Sequence, residues 1–142
     1  MGNGVFSIIG SALAAQDQRL SAISSNLANA SSIAAPGAQP YRAQELVFQA
    51  APVVDATQMD GATPPLGVQV LTSVQSNAPP TRKYDPGNPY ADASGYVTSS
   101  NVSPVDEMVN MIDSTNSYSA SVALLQQSTR IDQQIINSFQ VT

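Results

Sequence analysis

The chain has 142 residues, a net charge of −5, and no Cys, His or Trp. Those absences remove the commonest general base, the commonest metal ligand and the thiolate nucleophile, and they exclude a disulfide framework. Charged residues make up only 11% and no basic run exceeds Arg82–Lys83, so a nucleic-acid footprint is excluded.

An ordinary soluble domain carries roughly twice that density of charge. A surface of Ser, Gln, Asn and Thr is cheaper to desolvate than a charged one, which suits burial against other protein. Residues 1–15 carry no charge, and Gly2, Asn3, Gly4, Ser7, Gly10 and Ser11 interrupt the apolar run. No cleaved leader is therefore expected, and no run of about 18 apolar residues predicts a membrane span.

The first zone, residues 1–30, predicts a helix from about Val5 to Ala30. Phe6, Ile9, Leu13, Gln16, Leu20, Ile23, Leu27 and Ala30 recur at alternating steps of three and four, the spacing of a heptad seam. Outside the seam only Asp17 and Arg19 are charged, so no flanking charge pattern selects a simple parallel dimer.

The middle zone, residues 31–101, holds every proline except Pro104. Pro36-Gly37, Pro64-Pro65, Pro79-Pro80 and Pro86-Gly87-Asn88-Pro89 read as turns or loops. Strand candidates lie at residues 45–49, at 67–74, where Val68, Val70, Thr72 and Val74 alternate, and more weakly at 95–98. The expectation is one small antiparallel element with a mobile loop around Asp55–Pro65, too short to form an independent core.

The last zone, residues 102–142, opens on a helix start signal. Ser103 is placed to cap, Pro104 suits the first helical position, and Asp106 stands three residues after the cap. Apolar residues follow at Val105, Met108, Ile112, Val122, Leu125, Ile131, Ile135 and Phe139, with no further Pro or Gly, predicting one helix to about Ser138. The resulting plan is mainly α with a small β insert: long terminal helices paired as an antiparallel coiled-coil-like hairpin. Two helices make no sizeable core, so the apolar stripes require partners.

Several stretches resemble the flagellar rod, hook and filament axial proteins. Ser24-Ser25-Asn26-Leu27-Ala28-Asn29-Ala30 matches their N-terminal basal-body rod motif, and Asn101-Val102 with Glu107-Met108-Val109-Asn110-Met111 resembles their shared C-terminal motif. Pro40-Tyr41-Arg42-Ala43, Val47-Phe48-Gln49, Asp85-Pro86-Gly87-Asn88-Pro89, Ala91-Asp92-Ala93 and Gly95-Tyr96-Val97 resemble the middle region of a proximal-rod member. Ser32, Ser100, Asn116 and Ser121 depart from the family pattern, which has Thr, Pro, Arg and Asn there.

The resemblance implies a structural subunit of the proximal rod, polymerising through its terminal helices into a torque-transmitting shaft across the periplasm. It implies export by the flagellar type III apparatus without a cleaved signal peptide. The neighbours it implies are FlgB, FlgF and further copies of the chain, with FliE and FlgG nearby.

The residues themselves support a contact role over a chemical one. Asn26 and Asn29 share a helix face and offer uncharged donors and acceptors to a buried helix end, although an Asn-rich terminus with Asn29 as plain C-cap accounts for them equally. Expected inter-subunit residues are Phe6, Ile9, Leu13, Leu20, Ile23, Asn26, Leu27 and Asn29 of the first zone. Met108, Ile112, Tyr118, Val122, Leu125, Ile131, Ile135 and Phe139 join them from the last zone. Tyr84, Tyr90 and Tyr96 of the insert complete the set, as stiff aromatics of the kind found at interface hot spots, unless they merely cover the helices of their own subunit.

No catalytic, cofactor-binding or metal-ligating residue is expected. Ser24, Ser25, Ser31 and Ser32 have no His or nearby Lys to activate them. Asp85 and Asp92 do not have the spacing of a calcium loop and read as a solvated turn. The competing readings are another axial rod subunit, like FlgB or FlgF, and a rod-associated factor that cleaves peptidoglycan.

Overall fold

A computed structural model describes residues 2–53 and 65–139. The loop expected at 55–65 falls, apart from Pro65, outside the described residues. Helix α1 spans Gly2–Asn29. Its end is closed not by Asn29 in a left-handed cap, as one reading of the sequence had it, but by Ser32. The Ser32 N–H and hydroxyl both donate to the Asn29 carbonyl, at 3.1 and 2.8 Å. The Asn29 amide turns back to donate to the Ser25 carbonyl at 2.9 Å, the local back-bonding open to short polar side chains.

Strands β1 (Gln44–Pro52) and β2 (Leu66–Gln75) form an antiparallel ribbon from Gln44↔Gln75 to Pro52↔Leu66, with a bulge after Val47. A lone two-stranded ribbon is marginal in water, and this one leans on α1. The Ser11 hydroxyl accepts from the Val68 N–H at 3.1 Å while donating to the Ile8 carbonyl at 2.7 Å. Gly67 makes that approach possible, because a Cβ there would run into Ser11 and Val53.

Strands β3 (Thr81–Tyr84) and β4 (Tyr96–Ser99) pair separately, from Thr81↔Ser99 to Tyr84↔Tyr96. Ile33 bridges to the other edge of β4 at Ser99, and the Ala34 N–H donates to the Thr98 carbonyl at 2.9 Å. The insert is thus two two-stranded sheets instead of one element, and the fold is mixed: two long helices with two small sheets. β3 escaped the sequence because Thr81-Arg82-Lys83-Tyr84 follows Pro79-Pro80 and has no apolar alternation.

Helix α2 spans Pro104–Phe139. The Ser103 hydroxyl accepts from the Asp106 N–H at 3.5 Å, and the Ser103 carbonyl takes the Glu107 N–H at 3.0 Å. Asp106 and Glu107 in the first turn complement the dipole.

The two helices pack on one another. α1 buries Ile9, Ala15 and Ile23, whereas the one buried residue of α2 is Ser114. Half-buried Asn110, Ser117, Ser121, Leu125 and Ser128 continue its inner side. Apart from half-buried Met111, Val122 and Leu125, the large aliphatic residues of α2 and Phe139 point elsewhere: Val105, Met108, Val109, Ile112, Leu124, Ile131, Ile135, Ile136 and Phe139 are all exposed. No helix among the described residues is long and apolar enough to cross a membrane.

Candidate interaction surfaces

Where α1 ends, the chain must attach two sheets and a second helix. Buried carbonyls and N–H groups at such a junction cost free energy unless paired. Asn26, 1% exposed, pairs two of them and a tyrosine hydroxyl. Its Oδ1 accepts from the Gln44 N–H at 2.9 Å and the Tyr41 hydroxyl at 3.0 Å, and its Nδ2 donates to the Gln44 carbonyl at 3.0 Å. Tyr41 also meets the Ser25 hydroxyl at 3.1 Å.

Asn101 acts on the residue before Gln44. Its Oδ1 accepts from the Ala43 N–H at 2.7 Å, and its Nδ2 reaches the carbonyls of Ser76 and Ala78 at 3.3 and 2.9 Å. Ser100, also 1% exposed, donates its hydroxyl to the Ala30 carbonyl at 2.7 Å and its N–H to the Ser32 carbonyl at 3.2 Å. A proline at this position would make neither bond. Ser100 thus ties the end of α1 to the approach of α2.

The junction therefore absorbs Asn26 within its own subunit, and Ile9 and Ile23 are likewise buried within the subunit along α1. Phe6, Leu13, Leu20, Leu27 and Asn29 are half-buried along α1, as are Val122 and Leu125 on α2. Met108, Ile112, Tyr118, Ile131, Ile135 and Phe139 stand outward, Phe139 being 78% exposed. Tyr41 and Ser114 are the structural residues that sequence reasoning missed. Neither a lone Tyr between Pro40 and Arg42 nor a Ser in a Ser-rich helix carries a local signal of what it will meet.

The third surface is the β3–β4 turn. Tyr84, Tyr90 and Tyr96 are exposed, so they do not sheathe the helices of their own subunit. Tyr84 and Tyr96 meet edge to face with centroids 5.2 Å apart, and the Arg82 guanidinium lies 4.9 Å from the centre of the Tyr96 ring. Asp92 holds the turn: Oδ1 accepts from the N–H groups of Tyr96 (3.0 Å) and Ser94 (2.8 Å), and Oδ2 pairs with Arg82 at 2.6 Å. The Tyr96 and Ser94 N–H groups, with Arg82, hold the Asp92 carboxyl below its usual range. Asp85 accepts from the Asn88 amide at 3.3 Å. Among the described residues no cluster of three acidic side chains is placed to hold a metal.

Known proteins match this sequence over most of its length. Residues 8–32 match the family described as flagella basal body rod protein, and residues 93–138 match the C-terminal family of flagellar basal body rod FlgEFG proteins. Relatives include the flagellar basal-body rod protein FlgC of Salmonella typhimurium, 48% identical over 85% of each chain, and that of Escherichia coli O6:H1, 50% identical over the same share. The FlgC of Borreliella burgdorferi is 36% identical over 88% of this chain and 91% of its own. The polar junction, the outward apolar patches and these likenesses agree: the chain belongs to the FlgC family of flagellar basal-body rod proteins and is a structural subunit of the basal-body rod.

Proposed function

We propose that the chain sits in the proximal rod, in the periplasm, and reaches it through the flagellar type III apparatus without a cleaved signal peptide. It works without catalysis. Its terminal helices act as an antiparallel hairpin that packs laterally with FlgB, FlgF and further copies of itself, with FliE and FlgG nearby, and the closed packing carries torque as a shaft does.

One observation carries this reading. α2 keeps Ser114, Ser117, Ser121 and Ser128 on its covered side and exposes Val105, Met108, Val109, Ile112, Ile131, Ile135 and Ile136. Exposed apolar patches at both ends of a helix of about 54 Å, at residues 105–112 and 131–139, are interaction surfaces, not solvent faces. Each large side chain covered by a neighbour contributes about 1.5–3 kcal/mol, repeated in every copy.

The test is complementation of a flagellated host that lacks its own copy of this subunit. Electron microscopy of purified basal bodies should show completed rods, with the chain next to FlgB and FlgF. Absence of the chain from purified rods, or a lytic band in a peptidoglycan zymogram, would overturn the assignment.

A further inference from the structure

A small cleft opens where the first turns of α2 cross α1 and β1. It encloses about 180 Å³ between Arg19 and Ile23 of α1, Gln44 and Glu45 of β1, and Glu107 and Asn110 of α2. Within it the Oε2 atom of Glu107 is enclosed and has no hydrogen-bond partner. Arg19 lines the same cleft but forms no ion pair there; the one salt bridge among the described residues is Arg82–Asp92. One guanidinium against two carboxylates leaves the cleft with an unbalanced negative charge. In a lone subunit water still reaches Glu45 and the exposed part of Glu107, though not the Glu107 Oε2. A neighbour covering this face would bury it at a cost of several kcal/mol, unless the neighbour brings a cation.

The chain holds five cationic side chains: Arg19, Arg42, Arg82, Lys83 and Arg130. Arg19 is already in the cleft, Arg42 is half-buried and Arg82 is held by Asp92. Lys83 and Arg130 are exposed. Arg130 lies on α2 with Gln126, Gln127, Gln133 and Gln134 at the positions three and four away, so no carboxylate of its own helix stands at those positions. Its neighbour Ile131 is exposed and also needs covering. A guanidinium, being planar and weakly hydrated, suits an enclosed carboxylate better than an ammonium does.

We infer that Glu107 of one subunit accepts an ion pair from Arg130 of a second copy. The inference rests on the rod reading above. The two positions are separated by roughly 34 Å along α2 and turned by roughly 140° about it, so they cannot meet within one chain and they face different sides. Each copy gives one donor and one acceptor, which is the head-to-tail contact of an open polymer.

The absence of Cys allows a direct test. Rods are first built with the unaltered chain, so that failure of the rod reading would already be visible. The E107C/R130C chain is then incorporated and the isolated basal bodies are mildly oxidised. A ladder of disulfide-linked dimers, trimers and longer species is expected, with only dimers when singly substituted E107C and R130C chains are mixed. The non-covalent counterpart guards against misfolding. Glu107→Lys should lower incorporation at least thirtyfold or so, and adding Arg130→Glu should restore most of it. An unlinked E107C/R130C chain in intact rods, linkage of E107C with itself, or rescue by reversal of Arg19 or Lys83 instead of Arg130 would each overturn the pairing.

Discussion

Asn26 and Asn101 clamp consecutive residues of the chain: Asn101 accepts the N–H of Ala43 at 2.7 Å, and Asn26 accepts the N–H of Gln44 at 2.9 Å. One asparagine comes from the last turn of α1 and the other from the approach to α2, so the start of β1 is fixed by both terminal segments at once. Each spends its amide group as well, Asn26 on the Gln44 carbonyl and Asn101 on those of Ser76 and Ala78. Asn101→Ala strands one N–H and two carbonyls and should cost about 1–3 kcal/mol. Asn26→Leu should cost at least as much, because it also releases the Tyr41 hydroxyl. The two positions share a strand start, so the double variant should lose less than the sum. Urea unfolding of the purified chain measures all three; additive losses would show that the two clamps work independently.

The helices were legible because their signals are local. A cap at Ser103, a proline at 104 and the lack of any later Pro or Gly place α2 correctly to one residue, and alternating valines place β2. Orientation was not legible. A list of recurring apolar positions marks α2 as a helix but cannot say that Ser114 will be buried while Ile112 turns outward, because that choice depends on what else covers the helix. The pairing of β3 with β4 and of Tyr41 with Asn26 depends on chain reversals through proline turns, and composition does not encode their destination.

That inversion separates folding from assembly. Ile23 is buried within the subunit and Ile112 is exposed on it. Ile23→Ala should destabilise the lone subunit by about 2–4 kcal/mol through the cavity it leaves. Ile112→Asp should shift subunit stability by no more than about 0.5 kcal/mol yet stop rod growth, since it sets a carboxylate in a face that becomes dry on assembly. Chemical denaturation and electron microscopy of the same two variants give the comparison. Normal rods from Ile112→Asp would mean that this face stays wet.

Asp92 predicts how the β3–β4 turn responds to acid. Its carboxyl is held below the ordinary 3.8, chiefly by the Tyr96 N–H, with the Ser94 N–H and Arg82 assisting. A group whose folded value is depressed contributes its stability above the unfolded value and loses it as pH falls through the folded one. The turn should therefore be fully formed from neutrality down to about pH 4 and loosen only below it. The Tyr96 and Ser94 amide signals should move together in an NMR titration between pH 5 and 2, and Asp92→Asn should abolish that movement. The group is exposed, so the Arg82 contribution should fade with added salt while the backbone contribution persists.

The same turn tests where neighbour choice resides. The terminal helices match general rod families at residues 8–32 and 93–138, and the segment Tyr84–Val97 largely precedes the second match. It presents three exposed tyrosines on a braced platform. Gly95 completes the brace: its φ of 79° is open to glycine, and a Cβ there would stand 2.9 Å from the Tyr84 ring. Gly95→Ala should strain the backbone by about 1–2 kcal/mol and displace Tyr84 while leaving α1 and α2 in place. Replacing Tyr84–Val97 by a Gly/Ser linker is the stronger variant, and it removes the platform outright. Both should be exported normally, and both should be depleted from the position beside FlgB and FlgF, the linker variant completely. Pull-down against each purified neighbour, with imaging of basal bodies from the same cells, reads the outcome. Rods of normal length from the linker variant would place neighbour choice in the helices and reduce the tyrosine platform to a brace for its own turn.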